Sequence, residues 1–360
     1  MSKPFSKSPE LRHPQGFTLV ELLVAMALSL ILLGIAFSLF NQLNDTADVA
    51  GTMADVNTNL RASVNLVGRD LTTAGAKIPL GGIPLPGGGS GATAATPINM
   101  PGPGARTFNP GAGGYMAIIT PGPGFGPTTG TGVPAIPTDV ITIITVNPTS
   151  NLDQYPLTAI TYTTTSATIT VDTRTNIGSG VSQVVPGQLI MLENSSACLL
   201  TATAVDTTAH TITFAHGDPA DVLGLNQFPN PPNGPTTGTI AQLPPVAAST
   251  TGYHLNMITY YLDTSNPQKL MRLVGSGYAG TGTAQPVALG ISVLQFSYSL
   301  SPPATPTDPT RTVAAPNTIR KVNLWMIAKA DHRARMSQKY YSNSIATSVT
   351  IQNLAYFNRY

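Results

Sequence analysis

Few residues of this 360-residue chain have the type and spacing to do chemistry. Its five histidines, His13, His210, His216, His254 and His332, are scattered, and only His216-Gly217-Asp218 sets an imidazole beside a carboxylate. That triplet reads as a turn, where Gly and Asp are favoured for backbone reasons. No HExxH or GxSxG string is present, so neither a zinc hydrolase nor a nucleophile-elbow esterase is indicated. The glycines form no GxGxxG after a strand and no GxxxxGK[ST], which removes the usual phosphate cradles. Cys198 is the only cysteine. It allows neither an intrachain disulfide nor a two-cysteine zinc site, and its neighbours Ala197 and Leu199 favour a buried, inert thiol. Asp218 and Asp221 offer loop oxygens to a cation, without the spacing of an EF-hand to support it. The expectation is therefore no catalytic residue, no cofactor and no metal: not an enzyme.

One carboxylate stands out by its surroundings. From Phe17 to Phe40 the chain reads FTLVELLVAMALSLILLGIAFSLF, with Glu21 as its sole ionisable residue. An ionisable group at membrane depth costs on the order of a few kcal/mol and needs a named partner. Cleavage between Gly16 and Phe17 would create an α-amino group four residues before Glu21, one helical turn away. Between neighbouring helices offset along their axes, the carboxylate of one meets the terminal amine of the next. Such a pair offsets its burial cost only when subunits pack, so it rewards assembly and sets the stagger.

The element that must carry Glu21 is a long helix. As a helix, Phe17 to Phe40 spans about 36 Å, enough to cross the hydrocarbon layer. Residues 1–16 form a polar leader with Lys3, Lys7, Arg12 and His13, broken by Pro4, Pro9 and Pro14. Positive charge before the segment and none directly after it predicts a cytoplasmic leader and an external head. An ordinary secretory signal fits poorly, because its apolar region is shorter and a small-x-small cleavage site follows it. A plain single-pass anchor fits length and charge but leaves Glu21 unexplained.

The string from Gln15 to Met26, QGFTLVELLVAM, closely resembles the processing signature of type IV prepilins and type II secretion pseudopilins. The resemblance implies cleavage after Gly16 by a prepilin peptidase, N-methylation of Phe17, and Glu21 in the assembly role.

Beyond residue 40 the pattern turns amphipathic. Val49, Met53, Val56, Leu60, Val64, Val67 and Leu71 recur every three or four residues as one stripe. Asp48, Asp55, Asn57, Asn59, Arg61, Asn65, Arg69 and Asp70 are assigned to the other faces, and Gly75 with Pro79 supplies a stop. Residues 77–137 are dominated by Gly, Pro, Thr and Ala and are expected to bury little, as loops around a short strand at Tyr115–Thr120. Strand signals follow at 140–146, 157–163, 167–172, 188–193, 199–205 and 210–214, then at 255–263, 269–274, 288–300, 319–330 and 346–357. A helix followed by strands gives an α+β fold: a long N-terminal helix on a mostly antiparallel β-sheet head. The expected divisions are 1–16 leader, 17–40 membrane and filament-core helix, 41–76 amphipathic helix, 77–137 loops and 138–360 head. The aromatic group Tyr340, Tyr341, Tyr356, Phe357 and Tyr360 is read as packing. Only 9% of residues are charged and the net charge is +2. With neither a basic stripe nor an acidic block, a nucleic-acid partner is not expected.

The head adds a weaker likeness. The runs Arg69–Gly75, Ile258–Leu262, Leu270–Leu273, Val287–Ile291, Leu294–Tyr298, Ile319–Val322 and Val349–Leu354 resemble, in their order, segments of PilW-type minor pilins. The resemblance implies a minor subunit that primes or decorates a type IV filament, in assembly, adhesion, motility or DNA uptake. Its partners would be other pilin subunits, the prepilin peptidase/N-methyltransferase and the inner-membrane assembly machinery. Its course would run from a single-pass inner-membrane protein with a periplasmic head to the pilus and cell surface. A type II secretion pseudopilin and a membrane-tethered ligand-binding protein are the alternatives.

Overall fold

The computed structural model describes residues 18–79, 81–86, 98–99, 102–103, 107–108, 114–129, 136–178, 183–221, 223–227, 239, 247–265, 268–275, 283–301, 309–333 and 338–355. Helix α1 (Leu19–Thr73) runs unbroken for 55 residues, about 80 Å at 1.5 Å per residue. Its interior contains no proline to remove a hydrogen bond. Gly75, at φ 71°, takes the left-handed conformation just beyond it. A Cβ there would lie 2.6 Å from the Ile118 side chain, so space and backbone both require glycine.

The outer half of α1 buries Thr52, Val56, Leu60, Ser63, Val67, Asp70 and Leu71. The buried stripe is therefore rotated from the all-apolar one expected from the sequence. Met53 is 44% exposed, and Asp70, assigned to an outer face, is 4% exposed. Of the polar side chains on the packing face, Ser63 donates to Asn59 O within α1, Thr52 meets His332 Nε2, and Asp70 takes its partners from Tyr260 and Arg272 of the head.

Four short strands come first: β1 (Ile83–Pro84), β2 (Ile98–Asn99), β3 (Thr107–Phe108) and β4 (Tyr115–Met116). Then come β5 (Ile119–Gly122), β6 (Thr128–Thr129), β7 (Ile136–Pro137), β8 (Val140–Val146), β9 (Ala159–Tyr162) and β10 (Ser166–Thr170). They are followed by β11 (Leu189–Glu193), β12 (Ala197–Thr201), β13 (Ala204–Asp206) and β14 (Thr211–Ala215). The last third supplies β15 (Thr251–Asp263), β16 (Lys269–Gly275), β17 (Thr283–Leu289), β18 (Ile291–Leu300), β19 (Ile319–Lys329) and β20 (Ser342–Thr350), then the one-turn helix α2 (Gln352–Ala355). All pairings between these strands are antiparallel, so the fold is α+β.

Strand β15 is the hub of the seven-stranded sheet: β11 pairs with its start, β8 with its middle and β16 with its end. A four-stranded sheet, β13-β14-β10-β9, a three-stranded sheet, β18-β19-β20, and the two-stranded pairs β1-β4, β2-β3 and β6-β7 make up the rest of the described head. Two cores result. The larger gathers the α1 stripe with the seven- and three-stranded sheets. The smaller lies under the four-stranded sheet. Strands β11 and β12 serve both: Leu189, Met191 and Leu199 face the first core, and Ile190, Leu192, Cys198 and Leu200 face the second. Burial on both faces explains why these strands read as continuous apolar runs.

Several expectations need correction. The Gly/Pro-rich region does contribute core, since Ile83, Leu85, Met116 and Ile119 are fully buried in the main cluster. Prolines and glycines there direct the backbone while single aliphatic side chains plug the sheet. The run 199–205 is two strands, β12 and β13, which belong to different sheets. The run 288–300 is also two, because Gly290 at φ 75° turns the chain between β17 and β18. A Cβ on Gly290 would approach Lys329 O to 2.5 Å. The C-terminal run starts earlier than expected, at Ser342, and leaves the sheet after Thr350 to form α2. Asn353 in α2 donates to Ala74 O at 2.9 Å, satisfying a carbonyl at the end of α1.

Candidate functional site

Thr18 opens α1 in an extended conformation, φ −77° and ψ 149°. Its hydroxyl oxygen accepts from Glu21 N at 3.3 Å, while Glu21 Oε2 accepts from Thr18 N at 3.3 Å. Thr18 Oγ1 also donates to Glu21 Oε2 at 3.4 Å. This reciprocal capping box satisfies amide donors that a helix start leaves free, and a carboxylate in the first turn favours the positive end of the helix dipole. Sequence reasoning missed it, although Thr-x-x-Glu ahead of an apolar run is its signal. In a lone chain, Glu21 thus has a partner within its own helix. The peptide bond between Gly16 and Phe17, predicted to be cut, lies outside the described residues.

The side chains that follow Glu21 have no protein cover. Large apolar residues from Leu22 through Phe40 to Leu43 are all more than half exposed. Among the described residues, α1 is the helix long and apolar enough to cross a membrane, and none of its apolar window is buried. A rod of this kind needs lipid or other helices around it, since its exposed apolar surface is continuous on every side.

The other end of the helix is tied to the head by a buried polar cluster. Tyr260 OH and Arg272 Nε each donate to Asp70 Oδ2 at 2.7 Å, and Arg272 Nε lies 3.2 Å from Tyr260 OH. Arg69 Nη2 reaches Asp70 Oδ1 at 3.4 Å from the solvent side. Burial, reinforced by the Asp70 hydrogen bond, pushes the Tyr260 phenol far above its ordinary value, so it stays a donor. Burial works against the Arg272 charge, but the Asp70 hydrogen bond and charge outweigh it and hold its pKa up. Asp70, Tyr260 and Arg272 come from three segments far apart in the sequence. The fold brings them together at one point, between α1, β15 and β16.

Other candidate groups are committed to structure. His216 Nδ1 pairs with Asn226 O at 2.9 Å, and Gly217 takes a positive φ, so His216-Gly217-Asp218 is a turn. The Asp221 carboxylate accepts from Leu225 N at 3.0 Å and Asn226 N at 2.7 Å, which occupies its oxygens with backbone amides. Burial raises the Asp221 pKa against the pull of those amides. Asp218 Oδ1 accepts from Ala220 N at 2.8 Å. Burial pushes the Cys198 thiol up to about 12, which fits an unreactive core side chain. Among the described residues no three His, Cys, Asp or Glu side chains are grouped to hold a metal ion. Tyr340 packs between Lys329 and Arg333 rather than in a core, whereas Tyr356, Phe357 and Tyr360 lie outside the described residues.

Residues 11–37 match the family model of the prokaryotic N-terminal methylation motif. The chain carries the type IV pilin-like signal. No curated protein and no solved structure matches it. The signal indicates a prepilin-peptidase substrate, and with the exposed apolar helix behind it, a membrane-anchored one. In this pilin-like chain, Gly16, Phe17 and Glu21 all fall inside the matched segment, and the head lies wholly outside it.

Proposed function

We propose that this pilin-like chain is a minor pilin of a type IV filament, with no enzymatic activity of its own. The observation that carries the reading is Glu21: a single carboxylate at the head of an apolar rod that is exposed on all sides. In the membrane, Phe17 to Phe40 holds the subunit with its leader in the cytoplasm and its head outside. Hydrolysis of the Gly16–Phe17 bond removes the basic leader and leaves an α-amino group on Phe17, which is then methylated. Glu21 exchanges its contacts with Thr18 for the Phe17 amine of an adjacent subunit. Apolar helices then exchange lipid for one another, and the ion pair fixes their axial offset.

Supporting the minor-subunit reading, Asp70, Tyr260 and Arg272 form one buried cluster from segments that resemble that group. The cluster couples the helix to the head, so that a head carried by the filament is held at a fixed angle. The test is Glu21→Ala in the producing cell. The variant should reach the membrane fraction at wild-type level and be missing from sheared filaments; wild-type incorporation would remove the assembly mechanism.

A further inference from the structure

The outer face of β18-β19-β20, turned away from α1, holds a groove of about 480 Å³. That volume lies within the range of small-molecule sites. The groove is lined by Trp325, the only tryptophan of the chain, 37% exposed in the middle strand. In register, Gln295 flanks it on β18 and Ala346 on β20. Ala346 offers only a methyl group beside the indole. The next outward row is Ser297, Asn323 and Ser348. Asn323 Nδ2 has a marginal contact to Ser299 Oγ at 3.5 Å, which leaves its amide free to turn to another acceptor.

Among the described residues, Arg311 is the one ionisable residue lining the groove, and its guanidinium is paired. Arg311 pairs with Asp139, whose carboxylate also accepts from Gly124 N and Phe296 N at 2.8 Å each. The lining is thus electrically balanced, offers hydroxyl and amide groups, and carries one flat aromatic surface. Among the described lining residues a phosphate or carboxylate ligand would meet only Arg311, already paired with Asp139, and the nearest other cation on that face, Lys321, stands one row beyond Asn323. An acyl chain would leave the amides and hydroxyls unsatisfied.

We infer that this groove is a binding site for a neutral carbohydrate, one or two hexose rings stacked on Trp325. A pyranose presents one face of polarised C–H groups, which suits the negative face of the indole π-system. Its edge presents vicinal hydroxyls, and the side-chain amides of Gln295 and Asn323 each offer a donor and an acceptor at the spacing of such a pair. Ser297 and Ser348 extend the hydroxyl-matching row. The site is independent of the assembly reading, because a tethered monomer would present it equally well.

The test uses the full chain in a non-glycosidic detergent, titrated with neutral gluco-, galacto-, manno- and N-acetylglucosamine oligosaccharides. Because Trp325 is the only tryptophan, its emission reports the groove directly. At least one series should give a saturable emission shift with protection from acrylamide quenching. By calorimetry, Trp325→Ala and Asn323→Ala should weaken that sugar about tenfold or more while Trp325→Phe retains part of the affinity. Unchanged thermal midpoints in these variants would exclude unfolding as the cause. Absence of binding by every series, binding only of anionic sugars, or undiminished binding by both alanine variants would overturn the inference. So would quenching protection that appears on self-association without sugar, which would make the groove a contact between subunits.

Discussion

Replacing Asp70 by Asn leaves the Arg272 guanidinium half-buried without its carboxylate, with its side chain 20% exposed. Removing one partner of a buried pair costs about 3–5 kcal/mol, and the partial exposure of Arg272 reduces this to about 2–3 kcal/mol. The Asp70→Asn and Arg272→Met single variants should each lower the urea midpoint of the head, and the double variant should recover much of the loss. A double variant no better than the sum of the singles would show that the two groups are not coupled. His254 supplies a pH dependence. Its Nδ1 pairs with Asn147, its Nε2 is buried without a partner, and burial depresses its pKa from 6.5 to about 4. Between those values the unfolded chain binds a proton that the native chain refuses, so stability falls as pH drops from about 6.5 to 4. The integrated loss is about 3 kcal/mol at 1.36 kcal/mol per pH unit. His254→Gln should flatten the unfolding free energy across that window. Glu21 stood out in the sequence because it is the sole ionisable residue between Phe17 and Phe40. Asp70 was not, since its partners lie 190 and 202 residues away and helix periodicity alone gives the phase only to within one position.

Elements were legible where a single environment shapes a whole run. Strand β8 was expected at 140–146 and is found there, because both its faces are buried and every position is β-branched or threonine. Boundaries failed where one glycine or a change of sheet divides a run, as at Gly290 and between β12 and β13. Gly290→Ala therefore tests the turn: left-handed backbone and a Cβ 2.5 Å from Lys329 O should cost about 2 kcal/mol or more. Its readout is the thermal midpoint, and an unchanged midpoint would show that the β17–β18 corner relaxes freely. The Gly/Pro-rich stretch was misjudged because composition hides a few well-placed aliphatic residues. Leu85→Ala should destabilise the head by about 2–4 kcal/mol in chemical denaturation, the ordinary cost of a core cavity. A loss below about 0.5 kcal/mol, the range of surface substitutions, would restore the loop reading.

At the scale of the molecule, the chain divides its apolar surface in two. One part is closed inside the head cores. The other, from Leu19 to Leu43, is left open along α1 and can be satisfied only by lipid or by neighbouring helices. In the proposed assembly, the capping box holds Glu21 at the helix start until a neighbour offers a charge. That proposal couples proteolysis to assembly, because the counter-charge would not exist before the Gly16–Phe17 bond is cut. Direct N-terminal sequencing and intact-mass measurement of the mature chain from membranes test that coupling. The mature chain should begin at Phe17 bearing an N-methyl group; a mature chain that keeps residues 1–16, or starts beyond the apolar segment, would contradict the account.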